Sequence, residues 1–210
     1  MNLFLKKVVV FFNFWRIIPI YLSLYILKKP VRNLIIDEMY HWKKCLHETD
    51  NGIFLFGKLL VYHKEYRNLL CYRMKNGRSI TDLLISSITK LLFPNLESLY
   101  IMCPNIGENL FIQHGFSTWI SAKSIGSNCW INQQVTIGYT FDSEPPTIGN
   151  GVRISAGAKV VGQISIGDNV IIGANAVVVK NVRDNMIVGG VPAKIIGENR
   201  DHKLYIENNS

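Results

Sequence analysis

Of the five histidines in this 210-residue chain, His114 stands apart. It follows Ile112 by two residues and precedes Gly115, whereas His41, His47, His63 and His202 lie outside residues 95–197, where apolar residues recur on one fixed period. An imidazole titrates close to neutral pH and can take the proton of a hydroxyl as it attacks a carbonyl carbon. Such a base typically contributes about 10²–10⁴-fold. The four cysteines, Cys45, Cys71, Cys103 and Cys129, show no CxxC spacing. They read as free or buried thiols of a reducing compartment, not as a zinc site or a disulfide framework. Cys103 and Cys129 fall at or near inward positions of the repeat and read as inert, so neither is expected to serve as a covalent nucleophile.

The element that must position His114 is written in the spacing. After Pro94, Ile or Val recurs every six residues: Ile106–Ile112, Ile125–Ile131–Ile137, and Ile148–Ile154–Val160–Ile166–Ile172–Val178. A second inward position lies four residues after each, including Leu110, Cys129, Val135, Val152, Ala158, Ile164, Val170 and Ala176. A helix repeats its apolar stripe at 3.6 and a hairpin sheet at two. Six residues per face and about eighteen per turn describe a triangular coil, with successive coils stacked about 4.8 Å apart. Gly107, Gly126, Gly149, Gly167 and Gly173 are expected to let the corners turn. The step from Ile112 to Ile125 is thirteen, one more than two hexads. The step from Ile137 to Ile148 is eleven, and the YTFDSEPPT segment, stiffened by Pro145 and Pro146, is expected to leave the coil as a loop.

Residues 1–94 have a different character. Apolar residues recur at three and four spacing in DEMYHWKKCL and SITDLLISSITKLLF, Ser79 stands as N-cap with Asp82 three residues on, Asn76-Gly77 marks a turn, and Pro94 closes the last helix. Residues 1–98 carry 15 Lys and Arg against 7 Asp and Glu; residues 99–210 carry 8 of each. The excess charge therefore belongs to the helical region, and a nucleic-acid partner is not expected. Residues 6–29 hold an apolar run, Val8 to Leu27, with Lys6, Lys7, Lys28, Lys29 and Arg32 around it. Three readings stay open: a buried helix, a helix lying in a membrane surface, or a span, with Arg16 the main cost against the span. No small-residue cleavage site follows, so a secretory signal is not expected.

The ladder resembles the left-handed parallel β-helix acyltransferases. Within them, IGENLFIQHGFSTWI, INQQVTIG and the closing VGGVPAKII resemble the serine acetyltransferase branch, and most closely its members in capsular and exopolysaccharide gene sets, of the colanic acid type. The resemblance covers about residues 95–197 and implies a β-helix domain there, a helical N-terminal region at 1–94 and a tail at 198–210. It also implies the left hand of the coil and a homotrimer with active sites between subunits. The donor it implies is acetyl-CoA, with no metal. On this resemblance His114 is the general base. Ser155, Ala156 and Ala174 lie where the pantetheine arm is contacted, and Lys194, assisted by Lys180, lies near the nucleotide phosphates.

Two departures bear on the acceptor. Serine acetyltransferases place an Asp before the histidine, where this chain has Gln113, and an Arg-His pair in the protruding loop, where it has Glu144 and Pro145. The acid that supports the histidine falls at Leu99 here; Glu97 or a backbone carbonyl could take its place. An anion at the acceptor clamp argues against a carboxylate substrate. The expected function is therefore acetyl transfer to a saccharide hydroxyl in polysaccharide biosynthesis, with serine O-acetyl transfer as the alternative. The expected place is the cytoplasm, with the inner face of the cell membrane as the alternative.

Rival readings are weaker. A γ-carbonic anhydrase needs three histidines around its metal, and the coil region has one. A sugar nucleotidyltransferase needs a longer N-terminal domain and a Gly-rich nucleotide loop. A non-catalytic β-helix used for assembly remains the rival from another class.

Overall fold

A computed structural model describes residues 3–140 and 143–200. Contacts divide the chain into two compact units, Met1–Leu96 and Glu97–Ser210.

The first unit holds six helices: α1 (Leu3–Phe12), α2 (Phe14–Ser23), α3 (Lys29–Cys45), α4 (Gly52–Tyr62), α5 (Lys64–Asn76) and α6 (Ile80–Leu92). The sequence of α4, GIFLFGKLLVY, has almost no polar side, and the helix is accordingly central: Leu55, Phe56, Leu59 and Leu60 are fully buried. Gly57 permits this, because a Cβ there would stand 2.7 Å from Val10 Cγ1. The one charge in α4, Lys58, is buried between Glu48 and Asp50, each at 2.6 Å. Arg73 and Glu38 form a second buried ion pair between α5 and α3.

Helix α6 carries its polar side inward. Asp82, Ser86 and Thr89 are buried, while Ile80, Leu84, Ile88 and Leu91 are exposed. The expected side-chain cap is not made: Ser79 Oγ bonds Thr81 Oγ1 at 2.7 Å, and Asp82 is buried instead of reaching back to the helix start.

The second unit is the expected parallel β-helix. Its short strands are β1 (Leu99–Ile101), β2 (Phe111–Ile112), β3 (Thr118–Ile120), β4 (Ser124–Ile125), β5 (Trp130–Ile131), β6 (Thr136–Gly138), β7 (Thr147–Ile148), β8 (Arg153–Ile154), β9 (Lys159–Val161), β10 (Ser165–Ile166), β11 (Ile171–Ile172), β12 (Val177–Val178), β13 (Met186–Gly189) and β14 (Lys194–Glu198). They stack as three faces: β1-β3-β6-β9-β12, then β4-β7-β10, then β2-β5-β8-β11-β13-β14. Isolated bridges Ile106–Ile125 and Ile166–Val182 extend the middle face. Every pairing is parallel except β13 with β14, a closing hairpin.

The hexad residues from Ile106 to Val178 are buried and form the core. Of the second inward set, Leu110, Cys129, Val135, Val152, Ala158, Val170 and Ala176 are buried as well, but Ile164 is only half-buried. Ile164 stands beside Pro146 at a corner, where its carbonyl accepts from Thr147 N at 2.9 Å.

The glycines act differently from the expectation. None of Gly107, Gly126, Gly149, Gly167 or Gly173 has a positive φ. Four of them are needed for close stacking: at Gly149 a Cβ would stand 2.8 Å from the Gly167 carbonyl carbon of the next coil. The left-handed corner positions fall instead largely to asparagines, including Asn109, Asn128, Asn169, Asn175 and Asn185, which tolerate that conformation better than other residues with a side chain.

Candidate active site

The corner that follows the third face carries His114. In register, Ile112 pairs with Ile131, Ile131 with Ile154, and Ile172 with Ile154. On the far side of the same corner, Trp119 pairs with Thr136, Thr136 with Lys159, and Val177 with Lys159. The chain from Ile112 to Trp119 is two residues longer than from Ile131 to Thr136. The surplus has a definite place. Gln113 N donates to Ile131 O at 2.9 Å, and Gln134 N donates to Phe116 O at 2.9 Å. Only His114 and Gly115 fall between these anchors, so they bulge from the corner with φ of 64° and 35°. The thirteen-residue step thus combines two added residues at this corner with one fewer at the next.

The bulge decides what His114 can do. Its side chain is exposed, and its ring makes no hydrogen bond among the described residues. The turn is braced on each side: Phe116 N donates to His114 O, and Asn132 Nδ2 donates to Gln113 Oε1 at 3.0 Å. An imidazole on a braced bulge, open to solvent, can accept a proton from a hydroxyl brought beside it.

Below the bulge the corner is regular. Gly157 N donates to Gln133 O at 3.0 Å and Asn175 N to Ala156 O at 2.9 Å, which aligns Phe116, Gln133, Ala156 and Ala174 in one column. Successive coils are about 4.8 Å apart, so this column runs along the coil axis away from His114. Ser155 adjoins Ala156 in the same corner, and both are half-buried, while Ala174 is exposed. Small side chains here leave the backbone open to a thin acyl-carrying arm, which is the fit that an acetyl-CoA donor requires.

The lysines are placed apart from one another. Lys194 begins β14 opposite Gly189, at the end of the third face, and is exposed. Lys180 follows β12, at the next corner of the triangle, so the register does not bring it to the column. Leu99 is an inward residue of β1. Thr118 N donates to Ser98 O at 3.0 Å, which sets the exposed Glu97 one coil above Phe116, without a hydrogen bond to His114. Cys129 is confirmed as a core thiol: burial pushes its pKa up to about 12, which disfavours the thiolate a nucleophile needs. Among the described residues no group of three His, Cys, Asp or Glu is placed to hold a metal ion.

Sequence spacing did not single out Gln133. Its side-chain Oε1 is buried without a hydrogen-bond partner among the described residues, at the column position next to the bulge. A polar residue at a corner has no place in a hexad of apolar residues, so periodicity is silent about it.

The protruding loop carries an ion pair of its own. Glu144 is not a bare anion. Lys123 Nζ pairs with its Oε2 at 2.9 Å, and Lys123 N donates to Pro146 O at 2.9 Å, which ties the loop down by charge and backbone together. Phe141 and Asp142 of the same loop lie outside the described residues.

A left-handed parallel β-helix with an exposed histidine on a bulged corner defines a class, the hexapeptide-repeat O-acetyltransferases that use acetyl-CoA as donor. Residues 145–180 match the bacterial transferase hexapeptide (six repeats). The serine acetyltransferase of Staphylococcus epidermidis is 36% identical over 155 residues, covering 67% of this chain and 70% of that protein. The chain belongs to the serine acetyltransferase family. The serine acetyltransferase of Synechococcus elongatus is 42% identical over 95 residues, 43% of this chain; there the chain spans only 39% of its relative's length. Among solved structures, a serine acetyltransferase in complex with CoA superposes with a TM-score of 0.61 at 26% identity, covering 85% of this chain and 74% of that one.

These likenesses overturn two expectations. A place nearest the capsular and colanic acid enzymes is not supported, and neither is a saccharide acceptor in polysaccharide biosynthesis, because the relatives and neighbours are serine acetyltransferases. The argument for a sugar rested on Glu144 and Pro145 in place of an Arg-His pair and on Gln113 in place of an Asp. These departures stand. The exposed Lys123–Glu144 pair offsets the anion without restoring a cationic clamp, so the correction comes from the relatives.

Proposed function

We propose that this protein is a serine O-acetyltransferase that works as a homotrimer, with His114 as general base. The observation that carries the reading is the His114–Gly115 bulge at the head of a column of small residues. Acetyl-CoA supplies, when bound, an activated thioester carbonyl. Ser155, Ala156 and Ala174 would hold its extended arm against the corner, and Lys194 offers a cation for its phosphates. Lys180 is the weaker candidate for that role, since it could serve only a groove bordered by the neighbouring corner.

His114 takes the proton from the serine hydroxyl as the oxygen attacks, and returns it to the departing sulfur. A base that starts neutral and ends neutral needs no covalent enzyme intermediate, in keeping with the buried Cys103 and Cys129. Gln113 is held by Asn132 and keeps the bulge in place. The products of such a reaction are O-acetylserine and free CoA, whose sulfur carries the returned proton.

The test is thiol release from acetyl-CoA with L-serine against other hydroxyl acceptors. L-serine is expected to be turned over, and His114→Gln to lower kcat by about 10²–10⁴-fold with little change in the KM for acetyl-CoA. Undiminished transfer by His114→Gln would overturn the role of the histidine. Binding of acetyl-CoA without turnover of L-serine would overturn the acceptor, and failure to bind it at all would leave a non-catalytic β-helix.

A further inference from the structure

The segment formed by α1, α2 and the turn that follows α2 is apolar on two opposite sides. Val10, Ile17, Ile20 and Leu24 face the interior of the helical unit. On the other side Phe4, Phe11, Trp15, Ile18, Leu22 and Ile26 follow helical spacing and are exposed, Trp15 at 71% and Ile26 at 68%. A helix on an ordinary protein surface presents a polar outer side. Here the polar groups are turned away from it. Arg16 Nη1 donates to Leu92 O at 2.9 Å, its Nε donates to Asn13 Oδ1 at 2.7 Å, and its guanidinium lies 4.2 Å from the Phe93 ring centroid. Asn13 Nδ2 donates to Val9 O at 2.7 Å. The Arg16 charge that counts against a membrane helix in the bare sequence is thus consumed inside the unit, and the outer stripe is left without a polar break.

Cations flank the stripe. Lys6 and Lys7 stand near its start and Lys28, Lys29 and Arg32 beyond its end, and no Asp or Glu precedes Asp37. Lys7 is paired with Asp50 at 3.0 Å; Lys28 and Lys29 are exposed, Lys28 Nζ donating only to the Gly77 carbonyl at 3.3 Å. Among the described residues no helix is long and apolar enough to cross a membrane. The segment is broken by a turn at Asn13, and Pro19 lies within α2.

We propose that α1 and α2 seat the protein on an anionic bilayer surface, with the outer stripe sunk to the level of the acyl chains and Lys28 and Lys29 against lipid phosphates. The charge pattern selects this partner over a second copy of the chain. Two copies meeting stripe to stripe would bring their basic flanks together with no acid in the segment to offset them. An apolar stripe with basic ends fits the interface of an anionic membrane, where each Lys or Arg near the surface adds to the attraction.

The test is co-sedimentation of the full-length protein with phosphatidylglycerol–phosphatidylcholine vesicles and with phosphatidylcholine vesicles alone. Binding is expected to be about tenfold stronger to the anionic vesicles and to weaken with salt. The Phe11→Asp/Trp15→Asp double variant is expected to lose binding, and Lys28→Glu/Lys29→Glu to lose at least tenfold. Both alter exposed side chains, so circular dichroism should match the wild type, and a variant that fails this check is replaced by Leu22→Asp/Ile26→Asp. No binding to anionic vesicles, or wild-type binding by either double variant, would overturn the proposal. So would a lipid-free assembly that falls to half its mass in Phe11→Asp/Trp15→Asp, since a second copy would then occupy the stripe. Vesicle binding does not depend on the acceptor, so its failure and that of the serine reading are distinguishable.

Discussion

The side-chain amide of Asn132 donates to the side-chain oxygen of Gln113 at 3.0 Å, joining two successive coils at the residue before His114. Below this tie the corner is regular; immediately after it the chain inserts His114 and Gly115 and then rejoins the register at Phe116. The histidine is exposed because it lies in a stretch that the coil beneath cannot match.

If the bulge exists for the histidine and not for the fold, removing it should leave the coil intact. A variant lacking both His114 and Gly115 restores the spacing of the next coil and relieves a non-glycine residue of a positive φ, which costs about 1–3 kcal/mol. Its thermal midpoint should equal or exceed that of the wild type while acetyl transfer is lost. A collapse of the midpoint would show that the bulge supports the fold.

The column below the bulge is open because its side chains are small. Ala174→Trp places a large ring on an exposed corner. The KM for acetyl-CoA should rise at least tenfold with the melting temperature unchanged. Unaltered KM would remove the column from the donor site.

Close stacking makes a different demand at the Gly149 corner. Gly149→Ala would bring a Cβ to 2.8 Å from backbone of the next coil, which cannot retreat like a flexible side chain. Chemical denaturation should show a loss of about 2–4 kcal/mol. A change within about 0.5 kcal/mol would mean that the coils can separate locally.

The helical unit has a pH response of its own. Burial, aided by the nearby Lys44, lowers the pKa of His41 from 6.5 to about 4. The folded state therefore resists a proton that the unfolded chain accepts. The stability gained from keeping His41 neutral is complete above about pH 6.5 and is lost as pH falls toward 4. Partial exposure reduces the effect to the order of 2 kcal/mol. His41→Gln should flatten the stability profile of the helical unit over that interval, measured by denaturation at a series of pH values, and an unchanged slope would assign it to other groups.

Much of this protein could be read before its fold was known. The hexad of Ile and Val dictates a coil, because a strand alternates its side chains locally and each face must place its own inward residue. His114 was legible as the one histidine of that coil. The acceptor was not: Gln113, Glu144 and Pro145 depart from the family's pattern, and a missing clamp shows which contact is lost without showing what replaces it.

Other features depended on partners far along the chain. Which two residues of a thirteen-residue step leave the coil is decided by hydrogen bonds from the next coil to Gln113 and Phe116, and no local pattern records them. Helix α6 obeys its own amphipathic period, yet buries Asp82, Ser86 and Thr89. Residues 6–29 could be read three ways because the run from Val8 to Leu27 is apolar on nearly every side, Asn13 and Arg16 apart. Only the tertiary structure chose which side Val10 and Ile17 would cover and drew Arg16 inward to the Leu92 carbonyl. A sequence sets what each element is able to bury; the choice among its faces is made where the elements meet.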